Sequence, residues 1–185
     1  PGAAPAAVEQ MSQRLIDAKR PLILAGGGAI DAAPALLKLA ERLGAPVALT
    51  INAKGMLPSS HPLLIGSTQT LVQTRALVAE ADVVLAIGTE LAETDYDVTF
   101  AGGFEIPGAL LRIDIDPDQT VRNYSPALAL VADAQLAAEA LLARISAHAL
   151  PERQADWGAT RAARLNNALA ESWDCLLYTS DAADE

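Results

Sequence analysis

Short unbroken apolar runs alternate along this chain with segments whose apolar residues recur every three or four positions. The runs are Leu22 to Ala25, Val47 to Thr50, Val83 to Ile87, Leu110 to Ile115 and Leu128 to Val131. Runs this short and this apolar read as strands covered on both faces, and the periodic segments between them as amphipathic helices. The first helix spans 6–19 with Val8, Met11, Leu15 and Ile16 on one face. Arg20-Pro21 ends it, because proline cannot continue the hydrogen-bond ladder. Asp31 and Pro34 start a second helix with Leu36, Leu37, Ala40 and Leu43 inward, and Gly44 closes it as a left-handed cap before Pro46. A third helix is predicted over 69–80. A fourth is capped by Asp133 and carries Leu136, Leu141, Leu142 and Ile145. Polar, glycine-bearing stretches at 52–62 and 92–108 read as loops. Pro151 to Asp174 is charged and helix-prone, more a connector than core.

Strands alternating with helices predict an α/β fold: a doubly wound, mainly parallel, Rossmann-like sheet with right-handed crossovers. Six strands are expected, of which the apolar runs locate five. The domain core falls at 21–147, preceded by a lead-in helix over 1–20 and followed by a connector over 148–174. No repeat of 20–50 residues is present.

Composition narrows the function classes. Half of the 185 residues are apolar, yet no run approaches the ~20 residues a membrane span needs. Pro1 to Ala7 lacks the basic cluster and apolar block of a secretory signal, so a cytoplasmic location is expected. The chain opens on proline rather than methionine, which reads as a start partway through a longer protein. Thirteen Lys and Arg stand against 23 Asp and Glu, a balance that repels phosphate backbones and disfavours nucleic acid as a partner. The last eleven residues, Cys175 to Glu185, read CLLYTSDAADE and back-translate to a transposon-end sequencing adaptor. They are expected to be read-through rather than fold. The single cysteine, Cys175, goes with them, leaving no thiol chemistry.

Candidate chemistry gathers at the strand ends. In open parallel sheets ligands sit beyond the carboxyl ends of the strands, where the strand order reverses. Gly26, Gly27 and Gly28, Thr50 with Lys54, Gly88, Thr89 and Glu90, and Asp114 with Asp116 all follow strands. Glycines let backbone N–H groups approach a diphosphate, and carboxylates accept hydrogen bonds from ribose hydroxyls. These residues are the candidate cofactor-binding set, in the manner of a nucleotide site. The run GGGAID lacks the third glycine of the dinucleotide fingerprint, and its glycines serve equally well as a tight strand-to-helix turn. His61 and His148 have no partner spacing and read as packing or solvent residues. Asp95 and Asp97 read as a solvated loop pair, and Trp157 and Trp173 as packing residues for a neighbour outside the chain. No metal-ligand cluster, nucleophile elbow or phosphate-binding loop of the Walker type is present, so no catalytic or metal residue is assigned.

From Arg20 to Ile145 the chain resembles the middle domain of thiamine-diphosphate-dependent enzymes of the acetolactate synthase and pyruvate oxidase class. The resemblance is carried by AKRPLILAGGGA (18–29), LAERLGAPVALT (39–50), KG with HPLLIG (54–55, 61–66), ADVVLAIGTEL (81–91), LLRIDIDP (110–117) and VADA (131–134). It implies a parent enzyme of three α/β domains, dimeric or tetrameric, that decarboxylates a 2-oxo acid or transfers the resulting two-carbon unit. Thiamine diphosphate and Mg²⁺ would be held by N- and C-terminal domains outside this chain, and the piece alone would be inactive. Middle domains of this class bind FAD, ADP or nothing. Where FAD-binding members carry an Arg-Phe-Asp-Asp-Arg-like run, this chain has Thr89-Glu90-Leu91-Ala92-Glu93. Carboxylates in place of cations cost a bound diphosphate about 1 kcal/mol even when partly screened, which disfavours FAD. The run over 88–108 is most similar to decarboxylases of basic 2-oxo acids, such as 5-guanidino-2-oxopentanoate decarboxylase. The alternative reading is a free-standing Rossmann-like module that binds NAD or FAD without thiamine chemistry.

Overall fold

The computed structural model describes residues 2–92 and 105–181, with side chains described as far as Glu171. Six strands form one sheet: β1 (Pro21–Ala25), β2 (Val47–Leu49), β3 (Leu64–Gly66), β4 (Val83–Ile87), β5 (Ala109–Asp114) and β6 (Leu128–Val131). They lie in the order β3-β2-β1-β4-β5-β6 and every neighbouring pair is parallel. The doubly wound α/β expectation therefore holds. The strand the apolar pattern did not locate is β3. Its apolar residues, Leu64 and Ile65, run straight from the His61-Pro62 turn into Gly66, so the stretch reads as part of the loop.

Helices α1 (Pro5–Asp17), α2 (Ala33–Leu43) and α4 (Ala134–Ser146) share one core cluster with the first sheet face, while α3 (Val72–Glu80) and α5 (Ala159–Asp181) cover the other. In α1 the expected stripe of Val8, Met11, Leu15 and Ile16 is buried. In α2 Leu39 joins Leu36, Ala40 and Leu43 inside, and Leu37 is only partly buried. The helical stretch starts earlier than Asp31, because a 3-10 turn over Gly27–Ala32 leads from β1 into α2. Asp133 caps α4 as expected, accepting from the Leu136 amide at 3.0 Å, a bond worth about 1 kcal/mol. Leu136 itself is exposed, and the inward face of α4 is Ala134, Ala137, Ala138, Leu141 and Ile145. Alanines there let α4 approach α1 and α2 closely, which a leucine stripe would prevent.

The largest departure from the sequence reading is the C-terminal segment. Residues expected to act as a connector instead close the second sheet face: Trp157, Ala162, Leu165 and Leu169 are all buried against Leu22, Leu24 and Val84. The Trp157 indole donates to the Pro21 carbonyl at 2.8 Å, so this tryptophan packs on its own domain rather than on an outside neighbour. Arg161 grips Glu80 of α3 through two bonds of 2.9 Å, and the Asn166 amide reaches the Leu64 carbonyl at 2.9 Å. The helix extends to Asp181, across the first residues of the segment read as adaptor. Asp95 and Asp97 lie outside the described residues, as does the side chain of Trp173.

Candidate functional site

Strand order reverses between β1 and β4, since β2 follows β1 on one side and β5 follows β4 on the other. Parallel pairing aligns Ala25 with Ile87, so the two residues that follow, Gly26 and Gly88, emerge side by side. Their loops are in backbone contact. The Gly26 amide donates to the Ile87 carbonyl and the Gly28 amide to the Gly88 carbonyl, both at 3.0 Å. A Cβ on Gly26 would lie 2.2 Å from the Gly88 oxygen. Gly88 sits at φ +57°, and a Cβ there would meet the Ala29 nitrogen at 2.5 Å. These glycines are required by two chain segments crossing at contact distance.

Above that crossing is a cavity of about 210 Å³ lined by Gly26, Gly27, Gly28, Thr50, Asn52, Gly88, Thr89, Glu90 and Ala92. Seven of the ten candidate residues thus meet in one place. Three do not. Lys54 is an exposed residue beyond the 3-10 turn Ile51–Ala53 and is not part of the lining. Asp114 ends β5, one strand further along, and Asp116 follows it; both turn their carboxylates onto their own chain. Asp114 accepts from the Asp116 amide at 3.0 Å and Asp116 from the Asp118 amide at 2.9 Å. They act as turn formers here.

The cavity's polar groups suit a neutral, hydroxyl-rich ligand fragment. Gly28 and Ala29 spend their amides within the crossing, which leaves Gly27 as the turn amide without a backbone acceptor among the described residues. Thr50 is 4% exposed and its hydroxyl has no partner among the described residues. A buried hydroxyl without a partner costs roughly 1–3 kcal/mol, so a site that keeps one is poised to give it to a ligand. Asn52 and Glu90 complete the polar lining, and no Lys or Arg is among its described residues. A volume of 210 Å³ is below the ~300–1,000 Å³ of sites that engulf a whole ligand, so this space holds at most part of one.

Asn52 and Ala92 were not among the residues singled out from sequence. Asn52 carries a usable signal, a polar residue two positions beyond a strand end. Arg112 was also missed, although a lone charge inside an apolar strand is conspicuous. It is 1% exposed and donates to the Thr89 carbonyl at 2.8 Å, supporting the cavity wall from below. His61 is occupied structurally. Its Nδ1 accepts from the Leu63 amide at 3.3 Å, which leaves Nε2 to donate to Glu41 at 3.2 Å. His148 faces the Arg144 carbonyl at 2.9 Å. No group of three His, Cys, Asp or Glu among the described residues is arranged to hold a metal ion. No described helix is long and apolar enough to cross a membrane.

The family model for the thiamine pyrophosphate enzyme central domain matches residues 8–141. The chain belongs to that family. "Probable 2-ketoarginine decarboxylase AruI" of Pseudomonas aeruginosa is 41% identical over 159 residues, covering 86% of this chain and 27% of the relative. Pyruvate oxidase of Lactiplantibacillus plantarum is 34% identical over 142 residues, covering 76% of this chain and 23% of its own. Among solved structures, that of a thiamin diphosphate-dependent enzyme isolated from Mycobacterium smegmatis superposes with a TM-score of 0.68 at 25% identity, over 83% of this chain and 30% of that one. The chain spans about a quarter of the length of the curated relatives it matches. As a thiamine pyrophosphate enzyme central domain, it has homologues that include decarboxylases and synthases, and the free-standing NAD module is not favoured.

Proposed function

We propose that this central domain belongs to a decarboxylase of a basic 2-oxo acid, of the 2-ketoarginine type, and that it frames the reaction centre without supplying reactive groups. The observation that carries this reading is the 41% identity to the 2-ketoarginine decarboxylase relative over 159 residues. Thiamine diphosphate, with Mg²⁺, would supply the electron sink for loss of CO₂ and would be bound by other domains of a cytoplasmic dimer or tetramer. Within this chain, Gly27, Thr50, Asn52 and Glu90 would bind the nucleoside part of ADP. Their polar groups converge on one cavity, and the orphan Thr50 hydroxyl supports that assignment.

Two measurements test the proposal. A full-length protein carrying this domain should release CO₂ from 5-guanidino-2-oxopentanoate with kcat/KM at least tenfold above that for pyruvate, while the 185-residue chain alone releases none with thiamine diphosphate and Mg²⁺ added. Equal use of pyruvate, or turnover by the chain alone, would refute it. Calorimetric titration of the chain should give micromolar binding of ADP, and heat from NAD alone would favour the free-standing module instead.

A further inference from the structure

The wall of the glycine cavity is bent unusually. Leu91 has φ +48°, a left-handed conformation that a leucine rarely adopts, and its side chain is 1% exposed. The bend is held from the loop after β5. Asn123, itself at φ +64°, donates its side-chain amide to the Leu91 carbonyl at 3.0 Å and to the Glu90 carbonyl at 3.4 Å. Arg112 joins the same two loops, donating to the Thr89 carbonyl at 2.8 Å and to the Arg122 carbonyl at 2.5 Å. Three consecutive carbonyls of the wall, those of Thr89, Glu90 and Leu91, thus accept from two side chains that do not line the cavity. Within the wall the Thr89 hydroxyl takes the Leu91 amide at 3.3 Å. A left-handed leucine persists only where its surroundings over-determine it, and such sites concentrate where a ligand is held.

We infer that Arg112 and Asn123 are positioning residues: together they clamp the Thr89–Ala92 wall in its left-handed bend and thereby set the affinity of the glycine cavity for a nucleotide. The affinity part rests on the nucleotide reading proposed above; the clamp does not. Released from Asn123, the backbone at Leu91 returns to an ordinary conformation. Glu90 and Ala92, which line the cavity on either side of it, then move away from Gly27 and Thr50.

The sharpest test uses two substitutions at Asn123. Asn123→Asp keeps the size and the tolerance for positive φ, but sets a carboxylate oxygen against two carbonyls in place of an N–H donor. Asn123→Gly keeps the backbone freedom and removes the donor. Both are made in the 185-residue chain, whose sheet is covered on both faces by its own helices. Hydrogen exchange of the 88–92 segment in the ligand-free protein is expected to rise about tenfold in both variants, with exchange in α4 unchanged, and ADP binding by calorimetry to weaken about tenfold. Unchanged exchange at 88–92 in Asn123→Gly would overturn the clamp. Raised exchange with ADP affinity within twofold of the parent would overturn its role in binding. If the parent chain binds no ADP, the nucleotide reading falls and takes the affinity role with it, while the exchange result still decides the clamp. Should Asn123→Asp exchange faster everywhere, it has lost its fold, and Asn123→Gly decides alone.

Discussion

The cavity at the carboxyl ends of β1 and β4 and the seam at the amino ends of the same strands treat buried polar groups in opposite ways. At the seam, most polar groups are turned to holding the chain together, the Arg153 Nε being a buried exception. The Asp82 carboxylate accepts the Lys19 and Arg20 amides at 2.7 and 2.8 Å, and the Arg20 side chain donates to the Glu80 carbonyl at 2.7 Å. Arg153 gives its terminal nitrogens to the carbonyls of Leu15, Ile16 and Ala18 at the end of α1. Those are the carbonyls that a helix terminus leaves without intrahelical partners. Burial lowers the pKa of that guanidinium, with the nearby Asp82 opposing, so desolvation outweighs the attraction. At the cavity, by contrast, the Thr50 hydroxyl is buried without a partner, and Gly88 and Leu91 hold left-handed backbone. One end of the sheet uses its polarity for stability, and the other leaves the Thr50 hydroxyl unpartnered among the described residues, as the proposed nucleotide site requires.

That contrast can be broken by substitution, with the largest effect expected at the seam. Trp157→Ala removes a side chain that is 5% exposed together with its bond to Pro21, and should cost about 4 kcal/mol by urea unfolding. A loss below about 1 kcal/mol would mean that the C-terminal segment is not part of the cooperative core. Gly26→Ala comes next. Its new Cβ must displace backbone 2.2 Å away, so stability should fall by about 3 kcal/mol, read as a clear drop in Tm. An unchanged Tm would show that the two glycine loops can part freely. Thr50→Val sharpens the comparison from the other side. It keeps the shape and removes a hydroxyl that has no partner among the described residues, so stability should stay within about 1 kcal/mol of the parent or rise. ADP binding should weaken roughly fivefold, the loss of one hydrogen bond. If Thr50→Val destabilises as a core polar deletion would, the hydroxyl is structural and its assignment to the proposed nucleotide site fails.

How much of this was legible in advance differs element by element. Four of the five strands found by apolar pattern are buried along most of their length, while in β6 only Leu130 is buried; Gly44 and Asp133 acted as the caps their types suggest. β3 escaped because its two apolar residues, Leu64 and Ile65, are set between a proline turn and Gly66 and merge with the loop before them. Helix α5 was undervalued because its buried face is built of Ala162, Leu165 and Leu169 between charged residues, a thin stripe whose importance depends on there being a bare sheet face to cover. At the site, Gly26 to Gly28, Thr50 and Gly88 to Glu90 were visible as polar or glycine residues after strands. Lys54, Asp114 and Asp116 met the same criterion, yet stand outside the cavity lining. Following a strand is a local property, whereas sharing a cavity depends on which strands are neighbours. Arg112 and Asn123 were hidden for the same reason, since both act across loops more than twenty residues apart in the chain.

The order of residues by itself determined the parallel α/β class, because uninterrupted apolar strands are stable only when helices cover both faces. It also determined the family, because six separate segments keep their spacing over about 125 residues. Only the tertiary structure decided that β1 and β4 are neighbours, that their glycines cross at contact distance, and that Thr50 keeps an unpaired hydroxyl beside them. Strand adjacency is a long-range outcome of packing, and no pattern confined to a few residues encodes it.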